Sequence, residues 1–334
     1  MTKSRNLLSR VPSRRKFLQL TAAAAAVPLV SVRSWGQTYP TRPITLVAFT
    51  PPGAIPDVMA RLIGDGLSRR LGQPVIIENR PGAGGTIALQ TVARAPADGH
   101  TLLVSSSAHT IAASLYPNVP VTITRDTAPV ATIDRDAFLL VVNPSFSAKS
   151  LADFLAYAKA NPGKVNLASN GTGNLTHLAG ELFRTTAGIQ TQHIPYRGSP
   201  AAISALMGND VQALFDTVGA LLPVVQSGKL KALAVTSAQR RPALPDVPAI
   251  SETFPGFEVI GWVGISAPAG TPAEILQRLN KETNATLADP TVKARFADLG
   301  TDQFVSTQAE FAKFIIEDAD KWAKVVKSTG LKVE

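Results

Sequence analysis

The feature that most narrows the fold is an alternation along the chain. Short apolar runs recur, and each leads into a segment whose apolar residues fall at helical spacing. That is the pattern of an α/β protein, in which strands feed helices. Ile44–Phe49 reads as a buried strand and Asp57–Leu71 as a helix, with Val58, Met59, Leu62, Ile63, Leu67 and Leu71 on one stripe. Pro56 suits a first helical turn, and Asp57 suits the positive end of the helix dipole. Strands follow at Val75–Glu78, Thr101–Ser105, Phe138–Asn143, Val165–Ala168, Ala213–Phe215, Ala232–Thr236 and Trp262–Ala267. Helices are expected at Thr86–Ala95, at Ser150–Asn161 with Ser150 as its cap, and at about Thr176–Ala187, then at Pro200–Met207 and Leu221–Ser227. Thr271-Pro272-Ala273-Glu274 and Thr307-Gln308-Ala309-Glu310 both have the form of a capping box. The helix opened by the second carries Phe311, Phe314, Ile315, Trp322, Val325 and Val326 on one face. Arg240 to Pro255 holds four prolines and reads as an irregular connection, and no internal repeat is visible.

A length of 334 residues suggests about two domains. There is no cysteine, which excludes disulfides, thiolate metal sites, a cysteine nucleophile and lipid attachment through an N-terminal cysteine. The net charge of +9 invites a nucleic-acid reading, but its distribution argues against one. Residues 1–37 hold seven basic side chains (Lys3, Arg5, Arg10, Arg14, Arg15, Lys16, Arg33) and no acidic one, which leaves 26 basic against 24 acidic residues in the rest. The body therefore advertises no phosphate-binding face. Ser13-Arg14-Arg15-Lys16-Phe17-Leu18, an apolar run to Val30 and the small polar stretch Ser31–Gln37 have the layout of a secretory signal peptide. The paired arginines resemble a twin-arginine address. The apolar run of about 13 residues is too short to span a bilayer. Cleavage after Gly36, with Ser34 and Gly36 at the small-residue positions, would free the protein in the periplasm without a lipid anchor.

Three strand-to-helix loops stand out, because ligands of open α/β sheets gather beyond the carboxyl ends of strands. Thr50-Pro51-Pro52-Gly53-Ala54-Ile55-Pro56-Asp57 opens a helix whose free N–H groups can attract an anion, and it reads equally as a proline-stiffened turn. Ser169-Asn170-Gly171-Thr172-Gly173-Asn174-Leu175-Thr176-His177 sets hydroxyls, amides and glycines before a helix, where a carboxylate could be held without a basic partner. It lacks the lysine of a phosphate-binding P-loop. His177 reads there as a helix-surface or capping residue before a ligand contact. Pro81-Gly82-Ala83-Gly84-Gly85 carries half of a dinucleotide fingerprint, but Ile87 stands at the third glycine position and no acidic residue closes the next strand. A tight turn fits better, and no cofactor is expected. The four histidines show no metal spacing and no Gly-x-Ser-x-Gly elbow occurs, so an enzyme is disfavoured. Asp216, after the apolar Ala213-Leu214-Phe215, could either cap a helix or touch a ligand.

Several blocks together resemble one family. These are Tyr39-Pro40-Thr41-Arg42-Pro43-Ile44, Glu78-Asn79-Arg80-Pro81-Gly82-Ala83-Gly84-Gly85, Asn161-Pro162-Gly163-Lys164 and His177-Leu178-Ala179-Gly180-Glu181-Leu182-Phe183. Pro195-Tyr196-Arg197-Gly198-Ser199, Ala232-Leu233-Ala234-Val235-Thr236, Leu244-Pro245-Asp246-Val247-Pro248 and Ala267-Pro268-Ala269-Gly270-Thr271-Pro272 complete the set. In register from about Tyr39 to the C-terminus, they resemble the Bug (TctC-type) periplasmic solute receptors of tripartite tricarboxylate transporters.

The resemblance implies a two-lobed, type II-like periplasmic binding protein, each lobe a mixed sheet flanked by helices. It implies a signal peptide at 1–37, one lobe of residues 38–140 plus 263–334, and a second lobe of residues 141–262. It also implies a monomer that closes on a small organic carboxylate and docks on one large and one small membrane subunit. Carried over, Thr50, Gly53, Ala54 and Ile55 would face the ligand from one lobe. Ser169, Asn170, Gly171, Thr172 and Thr176 would face it from the other, with Ser106, Ser107 and His109 on one wall and Arg197 and Asp216 on the opposite rim. This chain departs from the family where it has Ala54 in place of a second glycine, Pro56, Ala112-Ala113 and Thr217. Those changes make the mouth less polar and favour an aromatic or longer aliphatic carboxylate. Two rival readings are a periplasmic hydrolase using Ser169, His109 or Asp216, and a ligand sensor for a signalling partner.

Overall fold

A computed structural model describes residues 39–116 and 119–331, so the expected leader and its twin-arginine segment lie outside the described residues. The expected strand–helix alternation is present. Strand β1 (Ile44–Ala48) leads to α1 (Ile55–Leu71), β2 (Val75–Asn79) to α2 (Thr86–Ala93), and β3 (Thr101–Ser106) to α3 (Ser107–Leu115). A single turn, α4 (Ile123–Asp126), precedes the long strand β4 (Thr127–Val142). Then come α5 (Leu151–Ala160), β5 (Val165–Ser169), α6 (Leu175–Ala187), β6 (Thr191–Pro195), α7 (Ser199–Met207), β7 (Ala213–Thr217), α8 (Val218–Gln226) and β8 (Lys231–Val235). Strand β9 (Ile260–Pro268) returns the chain to α9 (Ala273–Leu287), α10 (Pro290–Asp298) and α11 (Gln308–Thr329).

The pairing reveals a repeat that the sequence hides. Parallel β2, β1 and β3 are followed by antiparallel β9 and then by the first part of β4. Parallel β6, β5 and β7 are followed by the last part of β4, antiparallel to β7, and then by β8. One strand pattern thus occurs twice, and β4 serves in both copies, pairing with β9 from Thr127 to Ala137 and with β7 from Phe138 to Val142. Because β4 runs parallel to β3 and antiparallel to β7, β1 and β3 point toward the second half while β5 and β7 point toward the first. Strand β3 ends level with Asp134, through Val263, and β7 ends level with Phe138. Four residues of strand separate those levels, about 13 Å along β4 at roughly 3.3 Å per residue.

Several local expectations are corrected. Strand β4 begins at Thr127, well before Phe138. Pro129 and the run Asp134-Arg135-Asp136 conceal its first part, yet that part is mostly buried and pairs along β9. Helices α3 and α10 and strand β6 were not anticipated. The box expected at Thr271 does not form: the Thr271 hydroxyl donates to the Pro268 carbonyl (2.8 Å), and Pro272 takes the N-cap position of α9. The box at Thr307 forms in both directions, with Glu310 accepting from the Thr307 N–H (2.8 Å) and Thr307 Oγ1 accepting from the Glu310 N–H (3.2 Å).

Apolar burial holds the layers together. Helices α1 and α9 cover one face of the first half, where Met59, Ile63 and Leu67 meet Leu276, Leu279 and Leu287 over Ile44, Leu46 and Val104. In the second half Phe154, Leu178 and Phe183 pack on Leu140, Val142 and Phe215. No helix among the described residues is long and apolar enough to cross a membrane.

Candidate functional site

The first anion-ready loop follows β1. Gly53, at φ +84°, lets the chain turn into α1, and Asp57 locks the turn from inside the helix. The Asp57 carboxylate is buried and accepts from the Gly53 N–H (2.8 Å), from Arg61 through Nε (3.0 Å) and Nη2 (2.9 Å), and from Asn79 Nδ2 (2.8 Å). Asn79 Nδ2 also donates to the Thr50 carbonyl (2.9 Å), tying the end of β2 to the loop. Burial alone would push the Asp57 pKa up, but the hydrogen bonds from Arg61, Asn79 and Gly53 outweigh it and hold it below the usual carboxylate range. The Gly53 N–H is therefore spent within the loop. The N–H groups of Ile55 and Asp57, the first and third positions of α1, take no protein partner among the described residues, and Pro56 has none to offer. The Ile55 side chain is 41% exposed.

Ser106, Ser107 and His109 lie in the interior behind this loop, none more than 5% exposed. Ser106 caps α3 by accepting from the Ala108 N–H (3.2 Å), while His109 Nδ1 accepts from the Ser106 N–H (3.1 Å). Burial lowers the His109 pKa to about 4, so its ring is neutral, and it packs edge-on to Phe49 at 5.0 Å. Ser107 Oγ accepts from the Trp262 N–H (3.1 Å), fastening α3 to β9. The turn at Gly82–Gly85 is tight as expected, with Ala83, Gly84 and Gly85 all at positive φ.

The second loop follows β5 and has more polar connections. Asn170 donates its backbone N–H to Thr176 Oγ1 (2.9 Å), and its side-chain amide to Ser199 Oγ (2.9 Å) and Asp216 Oδ1 (3.0 Å). Ser169 Oγ lies 2.6 Å from His193 Nε2 and accepts from the Gly171 N–H (3.2 Å). Asn174 caps α6 by accepting from the Thr176 N–H (3.1 Å). The N–H groups of Thr172, Leu175 and His177 take no protein partner among the described residues. Both helix starts, α1 and α6, thus keep open donors at their first and third positions.

The alternatives left open for Asp216 now separate. Thr217 is the cap of α8, accepting from the Ala220 N–H (3.3 Å). Asp216 instead accepts from Asn170 and from the Thr217 N–H (2.8 Å), while its Oδ2 is buried without a partner, as is Asn170 Oδ1. Burial raises its pKa. Thr172 and Arg197 are exposed on the same half, and Arg197 makes no ion pair among the described residues. His177 is not a surface residue: it is buried beneath the loop and stacked on His193. Asn79, His193 and Ser199 were missed. Asn79 and His193 are polar residues on strands β2 and β6 and Ser199 opens α7, and Asn79 and Ser199 fall inside the family blocks quoted above. A cavity of about 890 Å³ lies elsewhere, between β4, β9, α10 and α11, and none of the expected site residues lines it.

Two copies of one α/β strand pattern, sharing a strand and turning their strand ends and open helix starts toward each other, define a two-lobed binding protein of the periplasmic type. A family profile described as "Tripartite tricarboxylate transporter family receptor" matches residues 59–331, and the chain belongs to that family. It is 39% identical over 300 residues to Protein BugT of Bordetella pertussis, covering 89% of this chain and 92% of that one. Among solved structures it is similar to R. palustris Rpa4515 with adipate, at 33% identity and a TM-score of 0.78 over 88% of this chain and 99% of that one. It is also similar to MatC of Rhodopseudomonas palustris with bound malate, at 33% identity and a TM-score of 0.75 over 86% and 100%.

Proposed function

We propose that the chain captures a small organic carboxylate by closure of its two lobes in the periplasm and, as a monomer, delivers it to the large and small membrane subunits of a tripartite transporter. One observation carries the reading: among the described residues α1 and α6 each offer unpartnered N–H groups at the ends of strands that run toward one another, with no lysine or unpaired arginine buried beside them. Such a pair suits a carboxylate shared between two halves. The adipate and malate held by the two relatives support the same ligand class.

In this reading the lobes are residues 38–140 plus 263–334 and residues 141–262, hinged where β4 and β9 cross. Thr50, Gly53, Ala54 and Ile55 face Ser169, Asn170, Gly171, Thr172 and Thr176 across the ligand. Ser106, Ser107 and His109 stiffen one wall, and Arg197 and Asp216 stand at the far rim. Exposed Pro51, Pro52 and Ile55 make the mouth apolar, which favours a longer aliphatic or aromatic carboxylate. Charge-assisted hydrogen bonds of roughly 1.5–3 kcal/mol each, less the cost of association, support a Kd on the order of micromolar. A twin-arginine signal removed near Gly36 accounts for export.

A thermal-shift screen of the exported chain against aliphatic and aromatic mono- and dicarboxylates, amino acids and nicotinamide cofactors tests this. A ligand at 100 times its Kd adds about 2.7 kcal/mol, a rise of several degrees. A selective rise with one carboxylate class, the ligand being recovered unchanged, is expected. Silence across all carboxylates, or turnover of the compound that binds, would overturn the reading.

A further inference from the structure

His177 and His193 belong to no expected ligand contact, yet they sit directly under the second loop. Their rings are stacked with centroids 3.5 Å apart and an interplanar angle of 6°. His177, on the first turn of α6, accepts the Gly173 N–H at Nδ1 (3.1 Å), which is possible only when that nitrogen carries no proton. His193, on β6, reaches Ser169 Oγ at 2.6 Å, and that hydroxyl accepts the Gly171 N–H. The two rings thus brace both glycines of the loop, at φ +134° for Gly171 and +75° for Gly173, a backbone shape that local propensity leaves loose.

Resting on the ligand-site reading above, we infer that His177 and His193 are positioning residues: the stacked pair, while neutral, holds the Ser169–Thr176 loop in its carboxylate-gripping shape, and protonation of the pair releases the loop. A proton on His177 Nδ1 would face the Gly173 N–H, and a second positive ring would face the first at stacking distance. The positive end of the α6 dipole opposes that charge as well. Burial, and then the neighbouring His193, depress the His177 pKa to about 4, and burial depresses that of His193, so both rings are neutral at pH 7. The charge acting on both is Glu181 of α6, itself paired with Arg184 at 2.7 Å. Strand β5 brings no titratable group. Asp216 on β7, His109 on α3 and the charges of α11 are not among the groups that shift either ring.

The test uses the non-titrating mimics His177→Asn, whose Oδ1 can take the place of Nδ1, and His193→Gln, whose amide can take the place of Nε2. With adipate and malate as probes, the double variant is expected to match the wild type within about threefold at pH 7.5. Half a unit below a pKa of about 4 only a quarter of His177 is neutral, so at pH 3.5 the wild type should weaken roughly fourfold more than the variant. That comparison cancels protonation of the probe itself. His177→Ala, which cannot accept, should bind weakly at both pH values. Histidine and glycine amide NMR of the free protein supplies a readout without ligand: the Gly171 and Gly173 resonances should move with the imidazole titration. Identical pH profiles for wild type and double variant, or imidazoles that titrate without moving those amides, would overturn the inference. If neither probe binds at any pH while the amides follow the imidazoles, the choice of ligand fails and the brace stands.

Discussion

Asp318 is the side chain whose loss the structure prices most directly. It is buried on α11, where Oδ2 accepts from Thr110 Oγ1 (2.6 Å) and Trp262 Nε1 (2.8 Å), and Oδ1 accepts from Trp322 Nε1 (2.9 Å). One carboxylate thereby joins α3, β9 and α11. In Asp318→Ala the Thr110 hydroxyl keeps the Ser107 carbonyl at 2.9 Å, but both indole N–H groups are stranded in rings no more than 2% exposed. At about 1–3 kcal/mol for each stranded donor, the gross loss is roughly 2–6 kcal/mol. Part is returned, because burial of the carboxyl is itself unfavourable and raises its pKa. A net loss of about 2–4 kcal/mol is expected, or roughly 3–6 °C in Tm for a chain of this length. Asp318→Asn keeps one acceptor oxygen and turns an NH₂ toward the other indole, so it should fall between Ala and wild type. Trp262 and Trp322 are two of the chain's three tryptophans, and their emission should change in both variants. Scanning calorimetry with fluorescence checks the argument. A loss below about 1 kcal/mol in Asp318→Ala, or Asn less stable than Ala, would refute it.

Other expectations are as direct. Burial lifts the Asp136 pKa to about 7 although Arg241 lies 3.9 Å away. The folded chain therefore holds a proton that the unfolded chain has lost, and stability falls as pH rises from about 4 to 7. Asp136→Asn should be more stable than wild type by about 1–3 kcal/mol at pH 8 and nearly equal to it at pH 4, read from urea midpoints. A Cβ at Gly219 would lie 2.4 Å from the Leu299 carbonyl oxygen, a backbone atom that no rotamer change can move. Gly219→Ala should thus lower Tm by several degrees and speed proteolysis after Leu299. Thr307→Ala removes a reciprocal cap at the start of α11 and should cost about 1 kcal/mol in chemical denaturation.

The sequence showed what local periodicity controls. The stripe Met59, Ile63, Leu67 and Leu71 marked α1, and the apolar run before Ser169 marked β5, because burial on one face imposes a period on the chain. The duplicated topology left no such trace, since strand order is set by which edges meet, and the two copies use unrelated residues. Strand β4 was half hidden because Asp134 and Asp136 are buried carboxyls, which composition alone reads as surface. Both anion-ready helix starts were legible as strand–glycine–helix junctions. Which of their N–H groups stay open was not, because Asp57 takes one from four residues away and His177 takes another across its own turn. Asp318 had a signal that went unread: it stands seven residues after Phe311 and four before Trp322, on the apolar face of α11.

That face also constrains how the two halves can move. Phe311 and Ile315 pack with Val47, Leu103 and Trp262 of the first half, whereas Trp322, Val325 and Val326 pack with Phe138, Leu178 and Phe183 of the second. Helix α3 does the same from the other side, leaving β3 of the first half yet burying Ile111 and Leu115 in the second-half cluster. The halves are therefore joined by β4, β9 and two helices locked to each other through Asp318, rather than by two strands alone. A rotation that opens the strand ends around Thr50 and Ser169 must leave these four elements packed, so its axis passes close to Asp318 and Trp262. In the closure proposed above, the buried hub around Asp318 would then be the pivot on which the lobes swing.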